Sequence, residues 1–155
     1  MYDILIRNGT IIDGSGRPMY RSDIALSEDK IVALGDLSHA RGEKEIDAAG
    51  KYVTPGFVDV NNHSDTYWQL LSNPLLESML FQGVTTIIGG NSGSSLAPLA
   101  RPEVIRSIQK WTDVEKINFN WLSMEEFLRE VEKRKPSVNF ATLVGHGTLR
   151  RGALK

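Results

Sequence analysis

Two kinds of apolar pattern divide the chain, and they predict two kinds of secondary structure. Residues 1–54 contain short apolar runs separated by polar or glycine-containing turns, a pattern typical of β-strands joined by tight connections. From residue 55 onward, β-branched runs alternate with segments whose apolar residues recur at helical spacing. Strands alternating with helices indicate βα units around a parallel sheet. We therefore expect an all-β domain over residues 1–54 and an α/β domain over residues 55–155.

The all-β domain is predicted to consist of hairpins and short extended segments. Asn8-Gly9 is the preferred dipeptide of a type I′ turn, so a hairpin is predicted over residues 1–13. A second hairpin is predicted over residues 23–34, around the polar turn at residues 27–29. Two further extended segments are expected at residues 45–47 and 51–54.

The α/β domain is predicted to contain three buried strands and the helices between them. The strands are the apolar runs at residues 56–60, 84–88 and 140–144. Helices are predicted at residues 75–82, 102–110 and 124–135. The last of these has the strongest local signal, because Ser123 and Glu126 have the spacing of a capping box.

Composition excludes several classes of function. Eighteen basic and nineteen acidic residues give a formal net charge of −1, so neither a nucleic-acid surface nor attraction to an anionic membrane is indicated. The absence of cysteine excludes disulfides and thiolate ligands, so a metal would have to bind through nitrogen and oxygen. No apolar run reaches the roughly 18 residues that cross a bilayer, and the first residues lack the pattern of a signal peptide. We expect a cytoplasmic protein with a small-molecule ligand.

Polar side chains follow each predicted strand, where ligands bind in parallel α/β folds. His63 and His146 lie at two of these strand ends. Residues i and i+2 on a strand point to the same face, so we expect Asn61 and His63 to project together, which suits a metal-binding pair. Imidazole is a strong zinc ligand and a carboxamide a weak one, while Asp65 could ligate the metal or orient His63. The alternative is that these side chains only form hydrogen bonds at the end of a strand.

Other candidate residues have two interpretations each. The loop at residues 89–95 is a tight connection or a phosphate cradle, and the absence of a following Gly-Lys-Ser/Thr favours the connection. His146 either contacts substrate or is a structural residue at a strand end. Aromatic side chains line an acyl pocket or belong to the core, and core is the commoner role; these are Tyr67, Trp68, Trp111 and Trp121.

Three motifs in order resemble one known family. They are Pro55-Gly56-Phe57-Val58-Asp59 ahead of His63, then Gln82-Gly83-Val84-Thr85-Thr86 with Gly90-Asn91-Ser92-Gly93, then Val144-Gly145-His146-Gly147. The whole chain resembles the N-terminal third of the D-aminoacylase (N-acyl-D-amino-acid deacylase) branch of the metal-dependent amidohydrolases. The resemblance implies the first three βα units of a (β/α)₈ barrel, preceded by part of a small β-sandwich. The remaining barrel strands would come from the same chain or from a second one.

The resemblance also implies a chemistry and two departures from it. In this family zinc activates a water molecule that attacks the acyl carbonyl of an N-acyl-D-amino acid. His63 keeps a ligand position, but Asn61 replaces the first histidine of the family's His-x-His and Ser92 replaces its metal-bridging cysteine. Because an amide and a hydroxyl are weak zinc ligands, we expect at most one zinc ion, or none.

Two other functions fit the same residues. A degenerate amidohydrolase-like protein would bind a small molecule or a partner chain without catalysis, as the lost ligands suggest. A hydrolase of a cyclic amide, as in hydantoinase-like relatives, would keep the enzyme class and change the substrate. Histidines and an aspartate at later strand ends would favour catalysis over binding.

Overall fold

The computed structural model describes residues 1–108 and 119–154. The chain divides into two compact units, Met1–Pro55 and Gly56–Lys155. Among the described residues, the first unit contains a five-stranded sheet and the second a three-stranded sheet with helices. No helix within this part of the chain has the length and apolar character needed to cross a membrane.

The sheet of the first unit is built around one long strand. Strand β1 (Tyr2–Ile11) pairs antiparallel with β2 (Tyr20–Ser27), which pairs antiparallel with β3 (Lys30–Gly35). Strands β4 (Gly42–Asp47) and β5 (Tyr52–Val53) both lie parallel to β1. The second predicted hairpin and the two extended segments are therefore confirmed.

The prediction of a hairpin over residues 1–13 is wrong. Strand β1 continues through Asn8 and Gly9, and the register with β2 shifts between Ile6 and Gly9 as in a β-bulge. Asn8 takes a positive φ of 61°, which asparagine tolerates, but its amide donates to Asp23 Oδ1 at 2.8 Å and its side chain donates to Asp47 Oδ1 at 2.9 Å. These contacts with neighbouring strands hold the chain extended where the dipeptide alone favours a turn.

The sheet of the second unit is parallel, as predicted. Strand β7 (Val84–Gly89) lies between β6 (Phe57–Asp59) and β8 (Asn139–Thr142). Strand β6 ends at Asp59, one residue earlier than predicted. Ile87 of the central strand is fully buried, whereas Phe57 and Val58 of β6 are more than half exposed. The apolar side chains of β6 are thus only partly covered by the described residues.

Five helical segments accompany this sheet in the described chain; they are α1 (Gln69–Ser72), α2 (Glu77–Leu80), the 3₁₀ helix Pro102–Ser107, α3 (Met124–Arg134) and α4 (His146–Ala153). The capping box of α3 is confirmed, since Ser123 Oγ accepts from the Glu126 amide and the Glu126 carboxylate accepts from the Ser123 amide. The predicted helix at 75–82 is reduced to α2, and residues 109–110 of the predicted helix at 102–110 lie outside the described residues. Helices α1 and α4 had no clear sequence signal.

Aromatic side chains form the centre of the second unit's core. The ring centroids of Trp121 lie 6.2 Å from those of Trp68 and 5.4 Å from those of Phe127, and all three side chains are at most 2% exposed. The core interpretation is therefore confirmed for both tryptophans. Tyr67 is 38% exposed, and Trp111 lies outside the described residues.

Candidate active site

The segments that follow the three parallel strands contact one another. The Asn62 amide donates to Ile88 O at 3.1 Å, and the Leu143 amide donates to Gly89 O at 3.0 Å. The side-chain amide of Asn91 donates to Ile88 O at 2.6 Å and to Asn62 O at 3.3 Å. The predicted convergence of the strand ends is present, and it brings residues 61–65 beside residues 89–95.

His63 and Ser92 face each other across this contact. Ser92 Oγ lies 3.4 Å from His63 Nε2, near the upper limit for a hydrogen bond. His63 Nδ1 is buried and has no hydrogen-bond partner among residues 1–108 and 119–154. Ser92 is exposed and adopts the left-handed conformation, with φ of 55°. A buried ring nitrogen without a partner and a strained residue beside it are features that functional sites often show.

Asn61 lies beyond the end of strand β6, and its role in the site stays a prediction. The alternation of side chains applies only within a strand, and β6 ends two residues before Asn61. Asn61 is exposed, and its backbone amide donates to Asp59 Oδ1 at 3.1 Å. The buried amide is that of Asn62, which donates to Asp59 Oδ2 at 2.8 Å and accepts from the Ser64 amide at 2.8 Å. Asn62 therefore shapes the turn that leads to His63.

Asp65 is fully buried beneath the pair. Its Oδ2 accepts from the Gly90 amide at 2.7 Å, and its Oδ1 accepts from the Thr66 amide at 2.7 Å. Burial raises the pKa of the Asp65 carboxyl, and the hydrogen bonds from Gly90 and Thr66 oppose that rise. Asp65 thus links the segment after β6 to the end of β7.

His146 lies at another part of the strand ends. It is the first residue of α4, is exposed, and forms no hydrogen bond with His63 or Ser92. Next to it, the Gly145 amide donates to Ser95 Oγ at 2.9 Å. The structure brings His63, Ser92 and Asp65 together, and within the described residues no side-chain hydrogen bond joins Asn61 or His146 to them.

Ser95 and Thr148 form a buried connection that the sequence analysis did not identify. The Ser95 amide donates to Thr148 Oγ1 at 2.9 Å, and the Thr148 hydroxyl donates back to Ser95 O at 3.0 Å. Both residues are at most 1% exposed. The two residues are 53 positions apart and neither belongs to a local motif, so no sequence pattern links them.

The donor set bears on whether this site suits a metal ion. Within the described residues, no three His, Cys, Asp or Glu side chains are grouped as metal ligands. His63 is a strong nitrogen donor and Ser92 Oγ a weak oxygen donor, whereas both oxygens of Asp65 accept from the backbone. His63 Nε2, which faces the exposed Ser92 hydroxyl, fits one contribution to a metal site, which further ligands would have to complete.

Comparison with known proteins identifies relatives of the whole chain. An N-acyl-D-aspartate deacylase from Alcaligenes xylosoxydans xylosoxydans is 40% identical over 148 residues, which are 96% of this chain and 29% of that protein. The crystal structure of N-acyl-D-glutamate deacylase from Bordetella bronchiseptica, complexed with zinc and a phosphonate that mimics the tetrahedral intermediate, matches with a TM-score of 0.85 and 32% identity. That match covers 99% of this chain and 31% of the other chain.

A third relative concerns the metal directly. A D-aminoacylase structure that addresses a binuclear metal centre, with activation by one metal and attenuation by the second, matches with a TM-score of 0.82 and 34% identity. It covers 99% of this chain and 32% of that chain, so the present chain spans about a third of the length of these relatives. The profile of the amidohydrolase family matches residues 44–154. This chain belongs to the amidohydrolase family.

Proposed function

We propose that this chain provides the first strand ends of a hydrolase that cleaves the amide bond of N-acyl-D-amino acids. The observation that carries the proposal is the His63–Ser92 pair at the ends of two adjacent parallel strands, with 3.4 Å between Nε2 and Oγ. Deacylases of N-acyl-D-aspartate and N-acyl-D-glutamate are among the similar proteins, which favours acidic N-acyl-D-amino acids as the first substrates to test.

The proposed metal is a single zinc ion with His63 as one of its ligands. When bound, zinc polarises a carbonyl oxygen and lowers the pKa of a coordinated water to about 7. Ser92 is the weak oxygen donor of the site, and Asn61, at the position where the family has histidine, is a second weak one. In this proposal the chain holds the His63 ring nitrogen in place as a ligand and leaves Ser92 Oγ exposed on the substrate side.

The proposed architecture is a (β/α)₈ barrel of which residues 55–155 form the first three βα units, with residues 1–54 as part of a small β-sandwich. The parallel order β6-β7-β8 supports the barrel units. Exposed apolar side chains support further strands that pack against both sheets; they include Phe57, Val58 and Val60 in the second unit, and Ile31, Val32 and Leu34 in the first. These strands would lie in the same chain or in a second one.

His146 is the proposed substrate contact at the third strand end. It lies at the start of α4, where its exposed ring and the positive end of the helix both suit an anionic group of the substrate. Zinc binding does not require it in this proposal.

The test is hydrolysis by the full chain, together with any chain that completes it. Release of free amino acid from N-acetyl-D-aspartate should exceed release from the L-isomer, should stop on chelation and should return with zinc. Substituting His63→Asn should lower kcat/KM by more than the roughly 10–100-fold typical for loss of a ligand's outer partner. The matched control is His39→Asn, because His39 is exposed in the first unit. Equal activity of the two variants would contradict the assignment of His63.

One observation favours a second candidate, a non-catalytic binding protein. The described residues contain no group of three strong metal ligands. For a binding protein, calorimetry would show N-acetyl-D-aspartate binding that is indifferent to zinc and to His63→Asn, without turnover. Zinc-dependent turnover by the complete protein would exclude this candidate.

A further inference from the structure

Asp65 is an unusual residue in this molecule, because its carboxylate is fully buried, which raises its pKa, and only His63, among the described residues, acts on it as a positive charge, which lowers that pKa. No Lys or Arg within residues 1–108 and 119–154 forms an ion pair with it. Both carboxylate oxygens instead accept from backbone amides, those of Gly90 and Thr66, at 2.7 Å. Burying a carboxylate costs free energy even when it accepts hydrogen bonds, and this cost indicates that Asp65 has a role beyond packing.

The end of β7 is fitted closely around this carboxylate. A Cβ atom on Gly89 would lie 2.8 Å from Asp65 Oδ2, which is too close for a side chain. Gly90 has a positive φ of 72°, and a Cβ there would lie 2.1 Å from Leu143 O. Gly89 and Gly90 are therefore held between Asp65 on one side and the segment after β8 on the other.

The same loop is anchored again after Ser92. Ser95 exchanges two hydrogen bonds with Thr148, at 2.9 and 3.0 Å, and its hydroxyl accepts from the Gly145 amide. Ser92 thus lies between two buried anchors, two residues after Gly90 and three before Ser95. The Gly90 anchor is the nearer one and depends on the Asp65 carboxylate.

We propose that Asp65 is a positioning residue that sets Ser92 Oγ against His63 Nε2 by holding the Gly90 amide. Asp65 belongs to the same segment as His63, two residues later, so one side chain fixes the distance between the two strand ends. Its burial and its occupied oxygens leave no surface for substrate. The inference deepens the proposed function, on which it rests for what the pair does, but the way in which the pair is held does not depend on that function.

The test compares Asp65→Asn with Asp23→Asn in the full chain, labelled for NMR. Asparagine in place of Asp65 cannot accept from both amides, so the nuclear Overhauser contact between the Ser92 β-protons and the His63 ring should be lost. Contacts between Ser95 and Thr148 should persist. Asp23 is the matched control because its two carboxylate oxygens also accept from backbone amides, those of Asn8 and Leu37, but it lies in the first unit. A contact between protons reports distance, so the loss of charge alone does not remove it.

Each outcome decides the proposal. Loss of the Ser92–His63 contact in Asp65→Asn alone supports it, whereas retention of that contact overturns it. Loss of the contacts between Ser95 and Thr148 as well overturns it in favour of a general structural role. If Asp65→Asn does not fold, amide exchange in the unmodified chain decides. The Gly90 amide should exchange far more slowly than the Gly93 amide, which has no acceptor in the described chain, and equal rates overturn the proposal. None of these measurements involves hydrolysis, so an inactive protein with the expected contacts would refute the proposed function only.

Discussion

Charged groups in the two units are satisfied in different ways. In the β unit other side chains satisfy them, since Arg7 forms two hydrogen bonds with the Glu45 carboxylate and the Asn8 side chain donates to Asp47. Those contacts lower the pKa of Glu45 and of Asp47. At the strand ends of the α/β unit, burial raises the pKa of Asp65, and His63 Nδ1 lacks a partner in the described chain.

The difference separates stabilising from functional polar residues. A paired surface charge stabilises the folded chain modestly, and its partner already satisfies it without a ligand. The buried Asp65 carboxylate costs stability while it holds backbone amides in place, and His63 beside it has a ring nitrogen without a partner in the described chain; both are typical of functional sites. Within the strand ends themselves, Ser95 and Thr148 are fully satisfied, whereas His63 and Ser92 are not. Substitutions in each group can test whether this division is real.

The largest effect is expected from Thr148→Val in the satisfied group. Valine keeps the shape of threonine but leaves the Ser95 amide and carbonyl buried without partners, at about 1–3 kcal/mol for each group. We expect a loss of about 2–4 kcal/mol in the free energy of unfolding, measured by urea denaturation. The control is Thr142→Val, whose exposed hydroxyl donates to Leu143 O and whose loss should cost about 0.5 kcal/mol or less. Equal costs would mean that burial does not distinguish the two hydroxyls.

An intermediate effect is expected from Ser92→Cys in the unsatisfied group. A thiolate is a far stronger zinc ligand than a hydroxyl, and the 3.4 Å separation places it beside His63. The full chain should bind zinc at least about tenfold more tightly, as measured by competition with a chromophoric chelator. Ser94→Cys provides the comparison, because Ser94 lies in the same loop and is not paired with His63. Equal affinities of the two variants would remove Ser92 from the site.

The smallest effect is expected from Glu45→Gln in the β unit. Its hydrogen bonds with Arg7 lower the folded-state pKa of Glu45, so the carboxylate stabilises the fold above its unfolded pKa, and that contribution is lost as pH falls through the folded value. The difference in urea midpoint between the unmodified chain and Glu45→Gln should be small at neutral pH and should decrease as the pH falls below the unfolded value of about 4.3. High salt should also reduce it. A difference that grows on acidification would reverse the assigned sign.

The sequence predicted the helices and strands that are marked by residues close together in the chain. Helix α3 follows from its capping box, the second hairpin from its polar turn, and β7 from a β-branched run after Gly83. The Asn8-Gly9 turn failed because contacts from Asp23 and Asp47 override a dipeptide preference. Helix α4 was missed because it begins within a glycine-containing segment that reads as a loop.

The candidate site was predictable in its position but only partly in its members. The strand-end rule located His63, Ser92 and Asp65, because it depends on the order of strands alone. Strand β6 ends at Asp59, and in the turn that follows Asn62 is buried while Asn61 is exposed, which the order of strands does not determine. Ser95 and Thr148 needed the three-dimensional structure, since their contact spans 53 residues.

The glycines on either side of His146 carry a consequence for mutational tolerance. A Cβ atom at either Gly145 or Gly147 would lie 2.7 Å from Gly93 O. Neither glycine takes part in any proposed chemistry, yet a scan of all substitutions should find both positions as restrictive as those of a catalytic side chain. Glycine would then be retained at both positions because the backbone of Gly93 leaves no room for a side chain. His146, between them, has no such restriction and can vary with the substrate.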